Sequence, residues 1–325
     1  MKTFRLLPAR WKLILTGVVI AAVLAAASVA ILWGDSPEKT KAQSIREYAL
    51  EMRPANLDYG EGVWHAWTFD GTVPGPTLKV KVGEKLRVKV SNHLDMMASF
   101  HAHLEGYSIE NDGSQANLLL GKGDKGMLRP GEAYTYEFTP PSPGLFYYHT
   151  HSADKGLAPS RFVMQGLYGA IIVSDPNEAP VREEVLFMGE RGHATEGNLT
   201  FWVMNGMGLP GGEVALENIF KQQGMAGIEK QFNRTLPTFR AKVNEPIKLH
   251  VINIGDISHS LYIHSAEYVS LGVLGGRSWP GKVVPLVPGA ADTLLVKFSY
   301  PGLWLFHCHV ESHADTGMVG VFVVE

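Results

Sequence analysis

An internal duplication constrains the fold of this 325-residue chain more than any other feature of its sequence. The segment 82–92 (VGEKLRVKVSN) recurs 161 residues later as 243–253 (VNEPIKLHVIN). Apolar and charged residues alternate on both sides of the Gly83-Glu84 turn, which is typical of half-buried strands. A second block, in which two Pro-Gly pairs lie 13 residues apart and precede a histidine, also occurs twice. The chain is therefore predicted to be all-β, with two tandem Greek-key β-sandwich domains.

Turn signals and composition predict the domain boundaries. The turn-forming stretch 175–180 separates the repeats, so the domains are expected at 51–178 and 182–325. Residues 35–50 are polar and charged and are predicted to be a tether. Within the second domain, Leu216, Ile219 and Phe220 are spaced like one face of a helix. They predict a short inserted helix, to which no chemistry is assigned.

Residues 1–34 are predicted to be a membrane anchor or a signal peptide. Four basic residues within the first twelve precede an uncharged apolar run at 13–33, long enough to cross a bilayer as one helix. Cleavage after the small residues 28–30 is the alternative interpretation. The anchor is favoured because the apolar run continues beyond Ala30. Both interpretations predict export, with the body of the chain at the cell surface or in the periplasm.

Net charge and cysteine content exclude two classes of protein. The net charge is −3, which gives no indication of a nucleic-acid partner. The chain has a single cysteine, so it has no intrachain disulfide framework.

That cysteine lies in the motif His307-Cys308-His309, followed by His313 and Met318. One thiolate, two imidazoles and a weak thioether form the trigonal site of a blue-copper electron-transfer centre. His313 would supply one imidazole, and His259 is the candidate for the other. Because side chains alternate along a strand, the two histidines that flank Cys308 point to the opposite face and can bind other metals. A buried, inert cysteine is the alternative.

Nine of the thirteen histidines fall into four clusters. The clusters are His101 and His103; His149 and His151; His259 and His264; and His307, His309 and His313. An H-x-H pair on a strand places both imidazoles on one face, where they can bind adjacent ions. Zinc is the competing metal, but a cysteine with two histidines and a methionine is not a usual zinc arrangement. Outside the clusters, His250 matches Lys89 of the first repeat, which predicts a solvent-side position without function.

The clustered segments resemble the four copper motifs of multicopper oxidases, and the two-domain length resembles that of small laccases. The stretch 69–76 (FDGTVPGP) is similar to a signature near the start of the family's first domain. The resemblance implies two cupredoxin-like domains. It also implies that a type 1 copper takes electrons from a donor and passes them through the cysteine–histidine link to a trinuclear copper cluster. Dioxygen is reduced to water at that cluster.

The resemblance also implies individual ligands. The type 1 copper would be held by His259, Cys308, His313 and Met318. The type 3 pair would be held by His103, His149, His151, His264, His307 and His309, and the type 2 copper by His101. Tyr107 and Asp112 resemble residues near the cluster in small laccases, where Asp112 could relay protons. An Asx turn at Asp112-Gly113 is the alternative for this aspartate.

One position departs from the family pattern H-P-x-H-x-H, because residues 259–264 are HSLYIH. The 161-residue repeat aligns Tyr262 with His101, so Tyr262 stands where the second type 2 ligand belongs. A phenol with a pKa near 10 is a poor copper ligand unless the metal deprotonates it. Three outcomes are open: ligation by tyrosinate, a weakly held type 2 copper, or loss of that copper with impaired dioxygen reduction.

Three functions are consistent with these motifs. The first is an exported, tethered oxidase whose methionine ligand predicts easily oxidised donors: phenols, Cu(I), Fe(II) or a redox protein. The second is a copper nitrite reductase, although in that family the blue-copper cysteine belongs to the first domain, where this chain has Thr150. The third is a non-catalytic copper-binding or electron-transfer protein, which Tyr262 motivates. The resemblance also implies a homotrimer that shares its cluster between subunits.

Overall fold

The structure is a computed structural model that describes residues 43–60, 62–192 and 200–325. The helix expected at 13–33 lies outside these residues. Among the residues that are described, none belongs to a helix long and apolar enough to cross a membrane.

The first half of the described chain forms a sandwich of two four-stranded sheets. Its strands are β1 (Ile45–Asp58), β2 (Val63–Phe69), β3 (Leu78–Lys81), β4 (Lys85–Asn92), β5 (Ala98–Ser99), β6 (His101–Ala102), β7 (Met127–Leu128), β8 (Ala133–Phe138), β9 (Gly144–His149) and β10 (Tyr168–Ser174). One sheet has the strand order β2-β1-β4-β8, the other has the order β3-β10-β9-β6, and β5 pairs with β7. The alternation predicted around Gly83 is confirmed, because Leu86, Val88 and Val90 are fully buried.

The second half forms a sandwich of two five-stranded sheets. Its strands are β11 (Arg182–Gly192), β12 (Thr200–Met204), β13 (Thr238–Ala241), β14 (Ile247–Asn253), β15 (His259–Ile263), β16 (Glu267–Ser270), β17 (Val284–Leu286), β18 (Ala291–Lys297), β19 (Gly302–Cys308) and β20 (Val319–Val324). The strand orders are β12-β11-β14-β18-β16 and β13-β20-β19-β15-β17. The repeated segments 82–92 and 243–253 thus lie on the equivalent strands β4 and β14.

Helices are few, so the described chain is mostly β. They are α1 (Ala116–Leu119), α2 (Pro159–Met164), α3 (Gly212–Glu229), α4 (Glu311–Thr316) and two 3-10 turns at Ile109–Asn111 and Pro280–Lys282. The short helix predicted around Leu216 is confirmed as part of α3. This helix is interrupted at Gly224, whose φ of 62° is left-handed.

The duplication is also visible in a buried asparagine at the end of each central strand. Asn92 donates two hydrogen bonds from its side-chain amide, to the carbonyl oxygens of Met96 (2.8 Å) and Leu128 (2.7 Å). Asn253 makes the equivalent bonds to Ile257 O (2.7 Å) and Leu286 O (2.9 Å). Both asparagines are fully buried. Each side-chain amide supplies hydrogen bonds to carbonyl oxygens at a point where the chain reverses direction and backbone partners are lost. Asn253 thereby holds the loop that leads into β15.

The predicted tether at 35–50 is too long at its carboxyl end, because β1 already begins at Ile45. Residues 45–52 pair in parallel with 85–92 of β4. Leu50 is buried, and the Tyr48 hydroxyl donates a hydrogen bond to Lys79 O at 2.9 Å. Glu47 and Glu51 lie on the face opposite Leu50, and Arg46 adds a charge at the exposed start of the strand, so the alternation was obscured in the sequence.

The two sandwiches belong to one structural unit, Ser44–Glu325. Trp64, Tyr147 and Tyr168 of the first half share an apolar cluster with Phe187 and Ile252 of the second. Outside that cluster, Lys79 Nζ lies 2.6 Å from Glu183 Oε2.

The solvent-side position expected for His250 is wrong. This residue is only 4% exposed, and its Nδ1 lies 2.9 Å from Thr293 Oγ1. Its Nε2 is 3.6 Å from Oε1 of Glu183, the carboxylate that also pairs with Lys79 of the first sandwich. The sequence repeat could not reveal these contacts, because Glu183 and Thr293 lie on the neighbouring strands β11 and β18, far from His250 in the sequence.

Candidate metal centres

Two strands and a short helix bring one sulfur and two imidazoles together inside the second sandwich. His259 begins β15, Cys308 ends β19 and His313 lies in α4. The two Nδ1 atoms are 3.2 Å apart, and Cys308 Sγ lies 3.9 Å from that of His259 and 3.7 Å from that of His313. Met318 is fully buried beside them, and its carbonyl oxygen accepts a hydrogen bond from Cys308 N at 3.0 Å. This donor set fits copper and not a hard cation.

The protonation states of this site suit metal binding. Burial, and then the neighbouring His313, lowers the pKa of His259 to about 4, so its imidazole is neutral at pH 7 and keeps a lone pair. Burial also lowers the pKa of His313. Burial raises the pKa of the Cys308 thiol, while the Ser260 amide, 3.5 Å from Sγ, acts in the opposite direction. A bound metal deprotonates a coordinating thiol outright.

A buried carboxylate lies behind the His259 ring. Glu190 Oε1 is 3.7 Å from His259 Nε2, and the two side chains are 2% and 0% exposed. Neither atom has a hydrogen-bond partner among the described residues. The other Glu190 oxygen accepts a hydrogen bond from Asp256 N at 3.0 Å. Carboxylates in this position orient a ligating imidazole and raise its donor strength.

The first sandwich carries a group of four imidazoles. His101 pairs with His149 across β6 and β9, and His103 Nε2 lies 2.9 Å from His149 Nε2. The His151 ring centre is 5.0 Å from that of His101. His149 Nδ1 lies 2.7 Å from Thr150 O, and His101 Nδ1 lies 2.7 Å from Asp112 O. A carbonyl oxygen can accept a hydrogen bond but cannot donate one, so Nδ1 of each ring carries the proton. Both rings therefore keep a lone pair on Nε2.

Electrostatics keeps these imidazoles uncharged. Burial, followed by repulsion from neighbouring imidazoles, lowers the pKa of His149 to about 3 and that of His103 to about 4. The pKa of His101 is also lowered by burial. Several neutral imidazoles directed at one point form a metal site, since metal ligation requires unprotonated nitrogens.

The second sandwich repeats the arrangement with a tyrosine in place of one histidine. Tyr262 pairs with His307 across β15 and β19, which matches the pairing of His101 with His149. The Tyr262 ring centre lies 4.9 Å from that of His264, 5.7 Å from that of His307 and 5.5 Å from that of His309. The structure therefore supports the alignment of Tyr262 with His101.

Two comparisons with known proteins agree with this geometry. A family model described as multicopper oxidase matches residues 51–178, and a second with the same description matches residues 210–325. The chain belongs to the multicopper oxidase family.

Relatives of this multicopper oxidase include both oxidases and nitrite reductases. It is 28% identical over 294 residues to a probable nitrite reductase-hydroxylamine oxidoreductase fusion protein of Kuenenia stuttgartiensis, covering 85% of this chain and 31% of the relative. It is 26% identical over 292 residues to multicopper oxidase MmcO of Mycobacterium tuberculosis, covering 81% of this chain and 52% of the relative. The chain thus spans about a third to a half of these relatives.

The fold is likewise that of a solved multicopper oxidase. That structure superposes with a TM-score of 0.67 and 24% identity, covering 88% of this chain and 91% of the solved one. Both sandwiches are therefore cupredoxin-like. This multicopper oxidase is related to small laccases and to copper nitrite reductases, and it contains a type 1-like site of His259, Cys308, His313 and Met318.

Tyr107 and Asp112 lie beside the first group of histidines. The Tyr107 hydroxyl donates a 3.0 Å hydrogen bond to Asp112 Oδ1, and Ser114 Oγ bonds the other carboxylate oxygen. Burial, and then Asp112, raises the pKa of Tyr107 to about 12. Asp112 is 8% exposed, and its Oδ1 is 3.7 Å from His101 Nδ1. The aspartate therefore connects a phenol to a metal-site imidazole.

Sequence reasoning missed two carboxylates of this multicopper oxidase, Glu190 and Glu213. Glu213 lies in the first turn of α3, and its Oε1 is 3.6 Å from His307 Nε2. The inserted helix, to which the sequence assigned no chemistry, thus brings a carboxylate next to a histidine of the second group. Neither glutamate has a fixed spacing to a ligand in the sequence, so no motif could indicate them.

Proposed function

We propose that this chain is an exported, membrane-tethered two-domain oxidase that takes electrons from a one-electron donor and reduces dioxygen to water at a copper cluster between subunits. The observation that carries the proposal is the position of one tripeptide. Cys308 faces the type 1-like site, whereas His307 and His309 face the Tyr262–His264 side of the same sheet. Copper bound at both places would supply one-electron transfer and dioxygen activation.

The chain's own residues exclude water and orient the ligands. His259, Cys308 and Met318 are at most 2% exposed, so the type 1-like site is dry. Carbonyl oxygens fix the rings of His149 and His307 through Nδ1, at 2.7 and 2.9 Å. Dioxygen reduction consumes protons, and we propose that Asp112, with Tyr107 on one side and His101 on the other, conducts them to the cluster.

A methionine ligand favours a type 1 potential suited to easily oxidised donors. Phenols, Cu(I), Fe(II) and a reduced redox protein all meet this requirement. Because the type 1-like site is buried, the donor would deliver its electron through the protein surface near His313, whose ring stacks on Trp202 at 4.2 Å.

Copper nitrite reduction is the second candidate, and the similarity to the probable nitrite reductase fusion protein of Kuenenia stuttgartiensis favours it. Thr150, in the position that matches Cys308, argues against it. This threonine is fully buried and accepts a hydrogen bond from Ser99 N at 3.1 Å through Oγ1, so it packs as a structural residue. A non-catalytic copper protein is the third candidate, because Tyr262 replaces a type 2 ligand.

We propose that the cluster forms between subunits of a homotrimer. Within the described residues of one chain, ring contacts join the histidines of each half among themselves, and none joins the two sets. An apolar surface lies beside the second set, where Val214 and Phe220 are 62% and 51% exposed. A ring of three subunits would place a first half against each second half and cover that surface.

Copper content, the visible spectrum and oxygen uptake test the catalytic proposal together. The copper-loaded protein should be blue through Cys308 thiolate ligation and should consume dioxygen with a phenol or Fe(II). Cys308→Ser should abolish the charge-transfer band and donor oxidation while the fold is kept. A protein that binds copper fully without this band would contradict the type 1 assignment. Nitrite consumption without oxygen uptake would favour the second candidate.

Subunit mixing tests the shared cluster. One inactive variant carries His149→Ala and His151→Ala, and the other carries His307→Ala and His309→Ala. Mixed trimers contain interfaces with two intact halves, so oxygen uptake should return in part. Verified mixed trimers without recovery, or an active copper-loaded monomer, would exclude the intersubunit arrangement.

A further inference from the structure

Helix α3 brings a carboxylate to the histidines of the second sandwich. Glu213, His264 and His307 each offer one ligand atom, and these atoms lie within 4.8 Å of one another. Glu213 Oε1 lies 3.6 Å from His307 Nε2. The Glu213 side chain is 43% exposed and the His307 side chain 6%, so the carboxylate lies at the open side of this half-site.

The orientation of the His307 ring makes the approach informative. His307 Nδ1 lies 2.9 Å from Cys308 O, an acceptor, so Nε2 is the nitrogen that faces Glu213 and is free to bind a metal. A carboxylate oxygen and an imidazole nitrogen that face each other in this way can bind one cation between them. Metal bonds of about 2 Å place two ligand atoms of one ion roughly 3–4 Å apart, which includes the observed separation.

Backbone contacts fix the place where α3 begins. Gly212, with a left-handed φ of 52°, packs so closely on the Ala314 carbonyl that a side chain at this position would collide with it. Leu209 N donates a hydrogen bond to Gly317 O at 3.0 Å. The first turn of α3 is therefore attached to the segment that carries His313, and a carboxylate there is favoured by the helix dipole.

We propose that Glu213 is a ligand of the non-blue copper held by His264 and His307. The assignment rests on the proposed copper cluster and adds a ligand that the histidine pattern lacks. Where the first sandwich has the imidazole of His101, this half-site has the Tyr262 phenol, 4.9 Å from the His264 ring. A carboxylate supplies the third strong donor that the phenol does not.

Copper binding by matched variants tests this ligand. Glu213→Gln removes the charge and keeps the shape, and Glu217→Gln makes the same change one turn later, where the carboxylate pairs with Lys221. The full-length proteins are loaded with Cu(II), passed over a desalting column and analysed for copper per chain. Pulsed EPR counts the imidazole nitrogens on each non-blue copper. The blue band reports whether the fold and the type 1 site persist.

Glu213→Gln should keep the blue band and bind non-blue copper about ten-fold or more weakly, whereas Glu217→Gln should match the wild type. Adding Tyr262→His to Glu213→Gln should restore copper, because it provides an imidazole as the third donor. Wild-type copper content and an unchanged EPR signal in Glu213→Gln would overturn the proposal, even if turnover fell. A Glu213-dependent copper in a protein that consumes no dioxygen would support the ligand and refute the oxidase.

Discussion

Replacing Glu190 by glutamine should raise the reduction potential of the type 1 copper. The carboxylate lies 3.7 Å from His259 Nε2, on the side of the ring away from Cys308. Its negative charge stabilises Cu(II) more than Cu(I), and it makes the His259 imidazole a stronger donor. Glutamine keeps the volume of the side chain and removes the charge.

The size of the shift follows from the geometry. With a metal–nitrogen bond of about 2 Å at His259 Nδ1, the copper lies roughly 7 Å from the Glu190 carboxylate. At an effective dielectric constant of about 20, one unit charge at that distance contributes about 2 kcal/mol. For one electron this corresponds to about 100 mV, since about 1.4 kcal/mol equals 59 mV.

The assay is a redox titration followed by the blue absorption band. Glu183→Gln is the matched control, because Glu183 lies on the same strand with its Oε1 3.6 Å from His250 Nε2, and His250 is not a copper ligand. At pH 7 the potential of the Glu190 variant should shift upward by about 100 mV and that of the control should not. A potential unchanged within about 20 mV, or the same shift in both variants, would refute the electrostatic argument.

Three further results are expected. Tyr262→His should move the type 2 EPR signal towards that of an imidazole-rich site and raise non-blue copper content or turnover; an ordinary four-copper wild type whose activity only falls on substitution would make Tyr262 a functional ligand. Hydrogen bonds from His250 and then Lys79 lower the pKa of Glu183 to about 2. The ionised carboxylate therefore contributes up to about 3 kcal/mol to the free energy of unfolding above pH 4.5, and this contribution is lost as the pH falls towards 2. Urea unfolding should therefore show wild type and Glu183→Gln converging in acid, and a constant difference would contradict this. Asn253→Ala leaves one buried and one part-buried carbonyl oxygen without donors and should cost about 3 kcal/mol of unfolding free energy, which urea titration measures; a loss below about 1 kcal/mol would contradict it.

Local patterns in the sequence predicted much of this structure. The spacing around Cys308 identified the type 1-like site, and the repeat identified Tyr262 as the counterpart of His101, because both depend on strand periodicity and fixed offsets. The start of β1 was misplaced because charged residues cover one of its faces.

Contacts between distant segments were not predictable. Glu190 approaches His259, and Glu213 approaches His307, from strands and helices that no sequence spacing connects to the metal motifs. His250 likewise contacts Glu183 and Thr293, which lie far from it in the sequence. A single chain contains no periodicity that reports such contacts.

The two ends of α3 differ in how well they would tolerate an insertion. This difference decides where the protein could be attached to an electrode surface. Its beginning packs on the segment that carries His313 and includes Glu213, so an insertion at Gly211 or Gly212 would disturb both metal sites. Near its break, Gln222 and Gln223 are exposed, and a side chain at Gly224 would meet nothing within 4 Å. Exposed, weakly packed points of this kind tolerate inserted segments. A cysteine at Gln222 or Gln223, or a peptide linker inserted beside them, would anchor the chain to a surface away from the beginning of α3.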